Sequence, residues 1–134
     1  MGKRFSLVVV FAVTILGAAR ADAAADTWTS NFAIQYLDTT SPTSVGDAYA
    51  IGGPGSFTGA FSNPAGCTGD LRYAYVSTAD VTTSAQKDLI SRTVLAAFLA
   101  GKSIRLQMSG TRCTTGGVGG SGSPVYKAVA LPVP

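Results

Sequence analysis

Thr82-Thr83-Ser84-Ala85-Gln86-Lys87-Asp88-Leu89-Ile90-Ser91-Arg92-Thr93-Val94-Leu95-Ala96-Ala97-Phe98-Leu99-Ala100-Gly101-Lys102-Ser103-Ile104-Arg105-Leu106-Gln107-Met108-Ser109 reads as one amphipathic helix that stops at Gly101 and turns at once into a strand. Apolar residues at Leu89/Ile90, Val94 and Ala97/Phe98 recur at the helical period, with Lys87, Asp88, Ser91 and Arg92 largely between them. Thr83-Ser84-Ala85-Gln86 has the form of a capping box, and Gly101 suits the position just past the last turn. From Ser103 the period changes to two, with Ile104, Leu106 and Met108 on one side and Arg105 and Gln107 on the other.

Outward from this stretch, the chain before it reads as three strands. Thr27–Asp38 alternates with Trp28, Phe32, Ile34 and Tyr36 on one face. Val45–Ile51 is a second strand, broken by Gly52-Gly53-Pro54-Gly55, and Ser56–Phe61 resumes pairing as a short strand or the far half of a bent one. Leu71–Ser77 is the third, with Tyr73 and Tyr75 on one face. After Ser109 come a glycine-rich loop from Gly110 to Ser123 and a final strand, Val125–Leu131, ended by prolines. A helix between the third and fourth strands of a five-stranded chain is the element order of the OB-fold, a partly open Greek-key barrel. The expected class is thus mainly β with one helix; an α+β sandwich is the alternative.

The first residues have a separate character. Lys3 and Arg4 precede a mostly apolar run from Phe5 to Ala19, followed by the overlapping small-x-small sites of Ala19 to Ala25. That is the pattern of a secretory signal peptide over residues 1–25, leaving 26–134 as a single domain. The run of 15 residues is shorter than the roughly 20 that span a bilayer, so no membrane span is expected. Removing this segment takes away Lys3, Arg4, Arg20 and Asp22, so seven basic and six acidic residues remain of the ten and seven in the whole chain. The near-balanced charge argues against nucleic acid or anionic lipid as a partner. In a secreted or periplasmic chain, Cys67 and Cys113 are most simply a disulfide; free buried thiols are the alternative. They flank the third and fourth strands at what would be one end of a barrel.

Chemistry is sparse. The chain holds no histidine and no glutamate, which removes the usual general base and the Ser/His/Asp and Cys/His constellations. Ser84-Ala85-Gln86-Lys87 matches S-x-x-K of penicillin-recognising acyl-enzymes, but the S-D-N and K-T-G partners are missing. Gly117–Gly122 fits G-x-G-x-x-G without the flanking strand and helix that would cradle a phosphate. Asp70, Asp80 and Asp88 fit no calcium-loop spacing. No enzyme activity, metal or cofactor is expected. Arg72, Tyr73 and Tyr75 on one strand, with Arg105 on another, are candidates for the aromatic and basic face with which OB-folds hold single-stranded nucleic acid or sugars, export favouring a glycan, since tyrosine stacks on a pyranose and arginine bonds its hydroxyls; the alternative makes Tyr73 and Tyr75 half-buried barrel residues.

Thr93–Lys102, then Ile104-Arg105-Leu106, and later Tyr126-Lys127-Ala128-Val129-Ala130-Leu131, resemble the second half of the pentameric subtilase-cytotoxin B subunit and similar small exported OB-fold proteins. The resemblance implies a homopentameric ring with helices lining its centre and a role in binding sialylated glycans. No glycan-contacting residue is matched one for one. The expectation is an exported, non-enzymatic module that binds a glycan or a protein surface; the alternative is an exported structural or inhibitor protein without a small ligand.

Overall fold

In the computed structural model the described residues are 24–38, 50–53, 55, 57–115 and 122–132. Residues 1–23 of the expected leader peptide, most of the expected second strand and the G-x-G-x-x-G stretch up to Ser121 lie outside them. The described residues form seven strands and one helix: β1 Thr27–Trp28, β2 Phe32–Ala33, β3 Tyr36–Asp38, β4 Ala50–Gly52, β5 Tyr73–Val76, α1 Ser84–Leu99, β6 Ser103–Cys113 and β7 Pro124–Ala130. The sheet order is β1-β6-β7-β5-β4-β3, with β2 also on β6. All pairs are antiparallel except β5 with β7. Among the described residues no helix is long and apolar enough to cross a membrane.

The helix forms where its local signals place it. Thr83 is the N-cap, its hydroxyl accepting from the Gln86 amide at 3.2 Å, a contact worth about 1 kcal/mol. At the other end Gly101 takes φ +61°, so its amide reaches Phe98 O and the Lys102 amide reaches Ala97 O, satisfying two carbonyls that the last turn leaves open. Ile90, Val94 and Ala97 are buried against β6 and β7; burying each of the two branched side chains contributes about 1.5–3 kcal/mol. Leu89 and Phe98, expected on the buried face, are exposed instead. They stand on either flank of the Ile90–Val94–Ala97 line, and the helix touches the sheet along that narrow line only.

β6 keeps its alternation, with Ile104, Leu106 and Met108 fully buried. It also runs further than expected, through Gly110 to Cys113, with irregular register against β7 on either side of Met108. The core includes these residues with Ile51, Ala74, Val76, Val94 and Tyr126. Cys67 and Cys113 are at disulfide distance, Cα atoms 5.7 Å apart, tying the loop before β5 to the end of β6.

Two strand expectations are corrected. Thr27–Asp38 is three short pieces rather than one strand, and Trp28, Phe32, Ile34 and Tyr36 do not share a face: Trp28 and Tyr36 are exposed while Phe32 and Ile34 pack on the core. The reason is a register slip on β6 followed by one change of partner. Thr29 exchanges bonds with Leu106 of β6, its amide donating at 2.9 Å and its hydroxyl accepting at 3.0 Å, and Gln35 then donates to Gly52 of β4. The one-residue slip between Trp28↔Gln107 and Phe32↔Ile104, and then the transfer from β6 to β4, each break the ladder and reverse the side-chain phase. In the second correction, the described part of Ser56–Phe61 is bend and turn, where Ser62 and Asn63 bond back to Gly59; Phe57 is buried but Phe61 points to solvent.

Candidate functional site

The antiparallel register of β3, β4 and β5 sets Tyr36, Gly52 and Tyr73 in one row and Asp38, Ala50 and Tyr75 in the next. Side chains of one row share a face because strand residues alternate. The opposite face carries Leu37, Ile51, Ala74 and Val76 into the core.

The outer rows form a shallow cavity of about 160 Å³ lined by Tyr36, Asp38, Ala50, Asp70, Arg72, Tyr73 and Tyr75. The Tyr36 and Tyr73 rings are 5.4 Å apart and tilted by 52°, making an open aromatic wall, and Tyr36 is 49% exposed. Arg72 lies with Cζ 5.5 Å from the centre of the Tyr73 ring. Its Nε donates to Asp70 Oδ1 at 2.9 Å and Nη2 to Oδ2 at 2.6 Å, and its backbone amide also donates to Oδ1. These bonds hold the Asp70 carboxyl below its ordinary range and raise the Arg72 guanidinium further. The pair contributes little stability because Arg72 stands in water. Its effect is to fix the guanidinium over the tyrosine.

Of the four residues expected to bind ligand, Arg72, Tyr73 and Tyr75 come together. Tyr75 is buried and serves as the floor. Arg105 does not join them: β7 lies between β6 and β5, and Arg105 stacks instead on Trp28 at 4.9 Å. Tyr36, Asp38, Ala50 and Asp70 are the lining residues that sequence reasoning missed. Asp70, two residues before Arg72, was the one with a local signal.

A larger cleft of about 300 Å³ runs between α1 and β7, lined by Asp80, Gln86, Leu89, Lys127 and neighbouring apolar residues. Its ionic groups are already engaged, Asp80 with Ser77 and Arg112 and Lys127 with Asp26. We place the candidate site at the tyrosines despite the smaller volume, because of these cavities that one is lined by aromatic rings. Asp70, Asp80 and Asp88 pair separately with Arg72, Arg112 and Arg92. Ser84 is exposed in the first turn of α1.

No protein-family model matches the chain, and neither a curated protein nor a solved structure matches it.

Proposed function

We propose that this chain is an exported, non-enzymatic OB-type recognition module that binds a glycan or a protein surface through Tyr36, Arg72, Tyr73 and Tyr75. The observation that carries the reading is the Tyr36–Tyr73 wall with Arg72 held across it by Asp70. Aromatic faces with one fixed donor fork suit a ring that is apolar on its face and polar at its rim.

The barrel part of the reading rests on strand partners. Residues 27–38 pair with β6 at their start and with β4 at their end, so one segment links both ends of the order β6-β7-β5-β4. Counting that segment as a single first strand leaves five, with α1 between the third and fourth. OB-folds bind on the face of their second and third strands, here β4 and β5. Export is supported by the leader-like sequence and by the Cys67–Cys113 pair.

A glycan array probed with the purified protein tests the function: signal that disappears in Tyr73→Ala and Tyr36→Ala supports it, and an empty array counts against the glycan form. A second reading, a protein-interaction or inhibitor module, is favoured by Leu95, Phe98 and Leu99, which α1 leaves exposed. A homopentamer would cover the same residues. Sedimentation separates these, since a ring sediments as one species several times the chain mass and an inhibitor as a monomer.

A further inference from the structure

We infer that the leader is cut upstream of Ala24, after Ala21 or Ala23 and not after Ala25, because Ala24 is a seated part of the folded domain; this rests on the exported part of the reading above.

Three overlapping small-x-small sites end the apolar run: Ala19-Arg20-Ala21, Ala21-Asp22-Ala23 and Ala23-Ala24-Ala25. By residue type they are equivalent, since each offers alanine at both ends of the triplet. The fold separates them. Gly110 lies inside β6 and is buried. Glycine in a strand interior weakens the strand and often marks a place where another backbone comes close. Nothing in the local backbone calls for glycine here, because positive φ among the described glycines falls at Gly55, Gly66, Gly101 and Gly122. What calls for it is the neighbour: the atoms nearest to a β-carbon placed at Gly110 are main-chain atoms of Ala24 and Ala25. These two residues therefore cover β6 beyond Met108, where its pairing with β1 ends.

Asp26 ties down the same segment. Its carboxylate accepts from the Gly110 amide at 3.1 Å and pairs with Lys127 of β7. A cut after Ala25 would remove both alanines from the notch at Gly110 and make Asp26 the first residue. Its new α-ammonium would stand close to Lys127, two cations around one carboxylate, and like charges repel. A cut after Ala21 or Ala23 leaves the notch filled and the Asp26–Lys127 pair without that competitor. Two alanines that read as leader in the sequence are thus part of the domain.

The test uses the whole chain, exported by a secreting host through its own leader, with the first residue of the mature protein read by N-terminal sequencing and intact mass. Expected is a start at Ala24 or Asp22. Ala25→Leu, which spoils only the last of the three sites, is expected to leave that start unchanged. Gly110→Ala adds a readout of sign in the same exported protein. With Ala24 seated, the added methyl meets backbone and the urea midpoint falls; with the notch empty, alanine for glycine in an ordinary extended conformation leaves the midpoint unchanged or raises it. A start at Asp26 overturns the inference and leaves export standing. A start at Ala24 or Asp22 with a midpoint that does not fall in Gly110→Ala also overturns it, because Ala24 is then not seated. A chain that remains uncut, beginning at Met1, overturns both the inference and the exported reading.

Discussion

The backbone carbonyl of Ala24 lies directly over Gly110, closer than any β-carbon at that position would permit. The Gly110 amide donates to Asp26 at 3.1 Å, and Asp26 pairs with Lys127 of β7, so the described chain starts in a notch on β6 that only glycine provides. In a chain that keeps Ala24, Gly110→Ala is expected to cost about 2 kcal/mol, as overpacking does, with a lower urea midpoint and an unchanged slope; in a chain cleaved after Ala25 the notch is vacated and the cost falls away.

Reducing the Cys67–Cys113 pair frees a loop with a sequence separation of 46 residues. On the chain-entropy account the loss is roughly 4 kcal/mol, a large part of the stability of a small domain. Chemical unfolding of the protein with and without reductant checks this. Alkylation of both sulfurs in exported protein before any reduction would contradict the pairing.

Acid should weaken the fold through Asp26. Hydrogen bonds from Lys127 and from the Gly110 amide hold its carboxyl below the ordinary 3.8. A group depressed in the folded state stabilises it above the unfolded value and loses that contribution as pH falls through the folded one. Stability is expected to be level from neutrality to about pH 5 and to decline below about pH 4, with a shallower decline in Asp26→Asn. Urea unfolding across that range is the measurement.

Arg105 and Tyr73 occupy different surfaces, and the single tryptophan reports on one of them. Arg105 stacks over Trp28, which is 37% exposed. Arg105→Ala should shift Trp28 fluorescence, cost less than about 1 kcal/mol and leave ligand binding at the tyrosines intact. Equal loss of binding in Arg105→Ala and Tyr73→Ala would mean that Arg105 and Tyr73 serve one site.

Adjacent residues alone determine α1 and the first half of β6. Thr83 caps an amide three residues on, Gly101 closes a turn that needs positive φ, and Ile104, Leu106 and Met108 alternate whatever they pack against. These features are local because helix bonds and strand pleats join near neighbours. Partners across the sheet obey no such rule. That β7 enters between β5 and β6, that residues 27–38 slip register on β6 and then pass to β4, and that Tyr36 reaches Tyr73 while Arg105 turns to Trp28 follow from register between distant segments. Register is chosen by which pairing buries the most apolar side chains at once, a property of the assembled core and of no single stretch.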